Sequence, residues 1–138
     1  MIEKPAKKYT YSLIIKEANL DVYGHVNNTV YLTLFEEARW QIITDGGYGL
    51  DKIKETGKGP VILDIHVRYH KEIHLRELIV IESQFLSYEK KIGKIHQRMM
   101  RGDDVCCTAD YTTGLFDLGE RRLILPTEEW LNAIGYNI

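Results

Sequence analysis

Residues 21–39 read DVYGHVNNTVYLTLFEEAR, and two patterns meet in this stretch. Its first eight residues bring together a carboxylate, a glycine, a histidine and two asparagines. Apolar residues then recur at the spacing of one helix face, namely Tyr31, Leu34, Phe35, Ala38 and Ile42. The chain therefore sets several polar side chains against the first turn of a helix whose apolar face has to be buried.

Signals at both ends bound this helix. Asn27, Asn28 or Thr29 can cap its start, because short polar side chains accept hydrogen bonds from the free N–H groups of a first turn. The sequence Asp45-Gly46-Gly47 can end it, since glycine is common just after a helix. The pattern predicts a helix over residues 28–45, roughly 27 Å long.

Most of the remaining chain alternates apolar and polar residues, as strands do. Five strands are predicted, over residues 9–16, 61–69, 78–88, 92–101 and 105–116. In the second of them, Leu63, Ile65, Val67 and Tyr69 are expected to share one face. Turn residues at 89–91 and 102–104 join the last three strands, so antiparallel pairing follows. The predicted class is α+β, with the long helix buried on the concave face of the sheet and a short helix near residues 126–134.

Composition narrows the class of protein. A chain of 138 residues predicts a single domain over residues 1–138. A net charge of -2 gives no general attraction to nucleic acid, and no apolar run has the roughly 18 residues that a membrane span needs. The start MIEKPAKKY lacks the apolar segment of a secretory signal. Cys106 and Cys107 are adjacent and predict reduced thiols buried in a strand, so a cytoplasmic location is expected.

A repeated histidine raises the question of a metal site. His66, His70 and His74 are four residues apart, which would align them on one helix face. The alternation of residues 61–69 predicts a strand instead, where such neighbours lie roughly 13 Å apart. Two of them on one strand cannot share an ion whose ligands sit at about 2 Å, so no metal is expected.

The loop D-x-x-G-H-V-N-N, the helix carrying Tyr31 and Glu36-Glu37-Ala38-Arg39, and the strands that follow resemble the hotdog-fold acyl-CoA thioesterases. The resemblance is closer to their 4-hydroxybenzoyl-CoA thioesterase-like branch, and its specific part runs from Asp21 to Arg39. It implies one long central helix wrapped by a five-stranded antiparallel sheet. It also implies hydrolysis of an acyl-CoA or acyl-carrier-protein thioester without a cofactor, in a homodimer or homotetramer whose active sites lie at the dimer interface.

The resemblance implies specific roles for residues of the loop. The aspartate matching Asp21 is the catalytic carboxylate, as nucleophile or as general base for water. The backbone amide matching Asn28 holds the thioester oxygen. A helix start suits that task because it offers free N–H groups and the positive end of the helix dipole. His25 is a further candidate, as a base, a substrate contact or a residue that orients Asp21. The alternative for Asp21 is an aspartate that forms an Asx turn or caps the helix.

Substrate contacts are harder to assign. Gly24 suits a backbone conformation with positive φ, Asn27 is first a cap residue, and Tyr31 begins the apolar stripe. The phosphates of coenzyme A need cations or helix-end amides, for which two groups are candidates: Arg68, His70 and Lys71, and Lys90, Lys91 and Lys94. On the helix, Glu36 can pair with Arg39. Glu36 is also the reserve nucleophile, because another hotdog branch uses a helix glutamate.

Two departures from the family leave the activity open. Many relatives carry aspartate where this chain has Asn19, and proline soon after the position of Tyr69. An enoyl-thioester hydratase or dehydratase of the same fold would use a histidine with an acid, such as His25 and Asp21. A non-catalytic acyl-thioester binder is the third possibility. The acyl group, the carrier and the choice between covalent and water-mediated attack stay open at this point.

Overall fold

A computed structural model describes residues 1–138. Its strands are β1 Tyr9–Ile14, β2 Lys58–Tyr69, β3 Leu78–Glu89, β4 Ile92–Arg101, β5 Asp104–Asp117 and β6 Arg122–Ile124. Its helices are α1 Asn28–Asp45, α2 Leu50–Thr56 and α3 Glu128–Ala133, with one turn of 3₁₀ helix at Glu17–Asn19. The long helix confirms the predicted bounds, and no helix is long and apolar enough to cross a membrane.

The sheet has the order β1-β3-β4-β5-β2, and every pair is antiparallel. The prediction of five strands was one short, because β6 pairs with the end of β5. With three residues, β6 is too brief for an alternating pattern. Helix α2 was also missed, since Ile53 is its single buried residue and it carries no apolar stripe.

The core lies between α1 and the concave face of the sheet. The apolar stripe of α1 is buried as predicted, and it meets inward-facing residues of the central strands, among them Ile81, Ile95, Met99, Ala109 and Tyr111. Cys106 and Cys107 are free and buried in β5, as expected from the sequence. The α+β class is therefore confirmed, with one long helix packed on a single antiparallel sheet.

A polar group interrupts this apolar interface. Gln97 of β4 is completely buried, and its side-chain amide donates to the Phe35 carbonyl of α1 at 3.0 Å and to the Ser83 hydroxyl at 2.9 Å. Its oxygen accepts a hydrogen bond of 2.9 Å from Arg39, whose guanidinium also lies 4.5 Å from the ring centre of Tyr111. The expected pairing of Arg39 with Glu36 was therefore wrong. Arg39 turns toward the sheet, whereas Glu36 is exposed.

Strand β2 forms one edge of the sheet and is mostly exposed. A register shift between Ile62 and Asp64 leaves Leu63 as an extra residue. Paired residues of an antiparallel ladder point to the same face, so Ile62 shares the helix side with its buried partner Thr113. The bulge leaves Leu63 without a partner on β5, whereas Ile65 pairs with Tyr111 and Val67 with Ala109.

Candidate active site

The loop before α1 folds back on itself around Asp21. The Asp21 N–H donates to the His25 carbonyl at 3.0 Å, and the Gly24 N–H donates to the Asp21 carbonyl at 3.1 Å. Gly24 has a φ of 84°, a conformation that glycine adopts without strain. The Asp21 Oδ1 atom accepts the Tyr23 N–H at 2.8 Å, which forms an Asx turn. The Oδ2 atom has no such bond and lies 3.9 Å from Nε2 of His25.

The start of α1 leaves the backbone N–H of Asn28 free. Asn27 is the N-cap, and its Oδ1 accepts the Thr29 N–H at 2.9 Å and the Thr29 hydroxyl at 2.8 Å. The Val30 N–H donates to the Asn27 carbonyl at 2.9 Å. The Asn28 N–H has no acceptor in the chain, because no helical carbonyl precedes it and no cap side chain reaches it.

An open cleft of about 390 Å³ joins these two features. Six residues expected from the sequence line it, namely Asp21, His25, Asn28, Tyr31, His70 and Lys71. The opposite wall comes from the end of β2 and the loop after it, including Tyr69, Lys71 and Glu72. The Tyr69 hydroxyl donates to the Asn28 carbonyl at 2.8 Å, which ties the first turn of α1 to β2.

Other predicted residues lie outside the lining of the cleft. Gly24 and Asn27 shape the loop and the cap. Arg68 neighbours Tyr69 on an alternating strand, so it points to the opposite face of the sheet, where its Nε donates to His66 at 3.1 Å. This geometry does not bring Arg68 to the cleft.

The predicted lysine group lies elsewhere as well. Lys90 and Lys91 form the turn between β3 and β4, and Lys94 donates to the Thr112 hydroxyl at 2.7 Å. The β2–β5 ladder pairs Thr112 with Asp64 and Tyr69 with Cys107, so these lysines lie toward the end of the sheet away from the cleft. Among the cations near the cleft, Lys71 already pairs with Asp104 at 2.8 Å.

Burial keeps the other nucleophilic groups near the cleft protonated. It raises the pKa of Tyr31 to about 12 and that of Cys107 to about 12, with nearby ionisable groups adding to both shifts. Burial also raises the pKa of Tyr69. These hydroxyl and thiol groups are therefore neutral near pH 7 and do not act as anionic nucleophiles there. No group of three or more histidine, cysteine, aspartate or glutamate side chains is placed to hold a metal ion.

Comparison with known proteins identifies the family of the chain. The family model of the thioesterase-like superfamily matches residues 16–134. The chain belongs to the thioesterase-like superfamily. It is 34% identical over 86 residues to the long-chain acyl-CoA thioesterase FadM of Escherichia coli K12, an alignment that covers 60% of this chain and 62% of FadM. The alignment thus spans about three fifths of the length of FadM.

Solved structures agree with the superfamily assignment. YbaW, a probable thioesterase from Escherichia coli, has a TM-score of 0.79 at 25% identity, covering 90% of this chain and 94% of that one. The protein SAV2348 from Staphylococcus aureus, solved in complex with CoA, has a TM-score of 0.86 at 16% identity over 97% and 84% of the two chains. The second likeness concerns the fold alone. The hotdog fold predicted from the sequence is confirmed.

Proposed function

We propose that this protein hydrolyses an acyl-CoA thioester, with Asp21 as nucleophile or general base and the Asn28 backbone amide as oxyanion donor. One observation carries the proposal: the free N–H of Asn28 and a carboxylate oxygen of Asp21 without a hydrogen bond line the same cleft. The names of two similar proteins support a CoA thioester, since FadM is a long-chain acyl-CoA thioesterase and SAV2348 was solved with CoA.

The proposed chemistry uses the positive end of the α1 dipole and the Asp21 carboxylate. The thioester oxygen accepts a hydrogen bond from the Asn28 N–H at the positive end of α1. This hydrogen bond strengthens as negative charge develops on the oxygen. Either Asp21 attacks the carbonyl carbon and water then hydrolyses the resulting acyl-aspartyl anhydride, or Asp21 removes a proton from a water that attacks the carbonyl carbon directly. In both routes the C–S bond breaks and the thiolate takes up a proton. Net consumption of one water gives the acid and the thiol. Glu36 lies two turns beyond Asn28, about 12 Å along the helix, so this route does not use it.

The experiment is thiol release from a panel of short, long and aromatic acyl-CoAs. We expect release with at least one of them. A hydratase would instead add water to crotonyl-CoA without releasing thiol, but it needs a coupled acid and histidine. The 3.9 Å between Asp21 and His25 is longer than a hydrogen bond. Crotonyl-CoA hydration without thiol release, or a rise in melting temperature without any turnover, would contradict hydrolysis.

We also propose that the protein is a homodimer or homotetramer that pairs through β2. One side of β2 bonds to β5 while its other side is an open edge, and Leu63 there is 46% exposed. Leu63→Lys is expected to shift the mass measured by light scattering toward the monomer, because lysine disfavours pairing of strand edges. Ile14→Lys on the other edge strand, where Ile14 is 41% exposed, should leave the mass unchanged. A monomeric wild type, or a Leu63→Lys variant with the wild-type mass, would contradict the proposal.

A further inference from the structure

The Tyr69 hydroxyl links the end of β2 to the start of α1. It donates to the carbonyl of Asn28 at 2.8 Å, although the two residues are 41 positions apart in the chain. Asn28 is the first residue of α1, and Tyr69 is the last residue of β2. No other element of the fold makes a hydrogen bond to Asn28. The residue that carries the free N–H of the cleft is therefore held to the sheet by this one polar contact.

Tyr69 is itself held firmly. Its backbone pairs with Cys107 of β5, and the N–H of the next residue, His70, donates to the Cys106 carbonyl at 2.8 Å. Its ring meets the ring of Tyr31 edge to face, with 5.2 Å between the ring centres and 77° between the planes. Tyr31 is buried in the core. The contacts of its backbone and its ring therefore give the Tyr69 hydroxyl a defined position.

The first turn of α1 is the part of the helix that its own backbone holds least, because its N–H groups have no preceding helical carbonyl. The cap side chain of Asn27 binds the N–H and the hydroxyl of Thr29, and it leaves Asn28 out. The N–H and the carbonyl of Asn28 belong to two planar peptide groups that are joined at one Cα atom. A hydrogen bond to the carbonyl therefore limits the directions that the N–H can take, and it does so without occupying the N–H.

The protonation of Tyr69 decides which group its hydroxyl can serve. Burial raises the pKa of Tyr69 above its ordinary value, and the nearby Cys107 adds to the shift. The hydroxyl therefore keeps its proton at neutral pH, and a phenol has one proton to donate. Because that proton goes to the Asn28 carbonyl, Tyr69 does not donate to a thioester oxygen at the same time. This geometry gives the hydroxyl a role through Asn28 rather than as a second oxyanion donor.

We propose that Tyr69 is a positioning residue that directs the Asn28 N–H at the thioester oxygen. The inference rests on the proposed function. An oxyanion donor accelerates the reaction most when it already points to the place where negative charge develops, and small displacements of such a group are costly. Loss of the Tyr69 hydroxyl should therefore lower kcat, but by less than loss of the donor itself. KM should change little, because the donor acts mainly in the transition state.

The test compares two tyrosine hydroxyls that both reach α1 from a strand. Tyr69→Phe removes the hydroxyl and keeps the ring that packs on Tyr31. Tyr11→Phe is the matched control, because the Tyr11 hydroxyl of β1 donates to Glu37 of α1 at 3.4 Å. Glu37 lies about 13 Å along the helix from Asn28, so this control changes a link to the same helix away from the cleft.

The first measurement is thiol release with the acyl-CoA that the wild type hydrolyses fastest. We expect Tyr69→Phe to lower kcat about tenfold and to change KM by less than about twofold. Tyr11→Phe should keep both constants within about twofold of the wild-type values. A wild-type kcat in Tyr69→Phe, or equal losses in the two variants, would overturn the inference.

A second measurement separates positioning from a direct contact with the substrate. ¹⁵N relaxation of the substrate-free protein gives the backbone order parameter of the Asn28 N–H. It should fall from about 0.85 in the wild type toward about 0.6 in Tyr69→Phe, and it should stay near the wild-type value in Tyr11→Phe. Both variants should melt near the wild-type temperature, so a general loss of stability would not produce this difference. An unchanged order parameter in Tyr69→Phe would overturn the inference.

The two measurements also distinguish the inference from the proposed function. Thiol release that depends on Asp21, with an unchanged kcat and an unchanged Asn28 order parameter in Tyr69→Phe, would retain the function and overturn the inference. A more mobile Asn28 N–H in Tyr69→Phe, with no hydrolysis of any thioester by the wild type, would show that Tyr69 positions this N–H and would refute the proposed function.

Discussion

Asp21→Asn is expected to lower kcat for thioester hydrolysis about a thousandfold, the loss typical of removing a general base or nucleophile. The substitution is well matched to the local structure. Asparagine keeps the oxygen that accepts the Tyr23 N–H at 2.8 Å, so the Asx turn before α1 is preserved. It replaces the second oxygen with an amide that can neither attack a carbonyl nor take a proton. KM should change little, because the lost interaction acts mainly in the transition state.

The measurement is thiol release with the acyl-CoA that the wild type hydrolyses fastest. Glu72→Gln is the matched control, because Glu72 is another carboxylate that lines the cleft. It should retain activity within a few-fold, and both variants should melt near the wild-type temperature. Full activity in Asp21→Asn would mean that the carboxylate serves the turn alone and that the hydrolysis uses another group.

The features that the sequence predicted correctly are local ones. The bounds of helix α1 were predicted correctly because its apolar pattern continues over several helical turns. Asn27 and Gly46 give independent signals at its two ends. Asp21, His25 and Asn28 line one cleft for a similar reason, since a loop of eight residues that leads into a helix cannot carry them far apart. Local sequence spacing was enough to predict features whose residues are close together in the chain.

The features that escaped prediction depend on contacts between distant segments. The hydrogen bond from Tyr69 to Asn28 joins residues far apart in the chain, and no periodicity marks it. The bulge at Leu63 is one extra residue, which an alternating pattern cannot reveal before the partner strand is known. Arg39 looked like a surface residue paired with Glu36, because the sequence does not reveal that a buried glutamine lies opposite it.

Gln97→Leu is expected to lower the free energy of unfolding by about 2 to 3 kcal/mol, although leucine is apolar and similar in size. The glutamine side chain joins the Phe35 carbonyl, the Ser83 hydroxyl and the Arg39 guanidinium. Leucine leaves the buried Ser83 without this partner and Arg39 without an acceptor. The cost stays in this range because Arg39 is half-buried and recovers part of its hydration.

Urea denaturation measures the change, with Met99→Leu as the matched control. Met99 is the next inward-facing residue of β4 and is also completely buried, but it makes no polar contact, so its replacement should cost under about 1.5 kcal/mol. Equal losses in the two variants would mean that the polar network adds nothing beyond packing.

A double variant tests the same network. If the network acts as described, Arg39→Met combined with Gln97→Leu should be more stable than the sum of the single losses predicts, because the double variant leaves no charge unpaired.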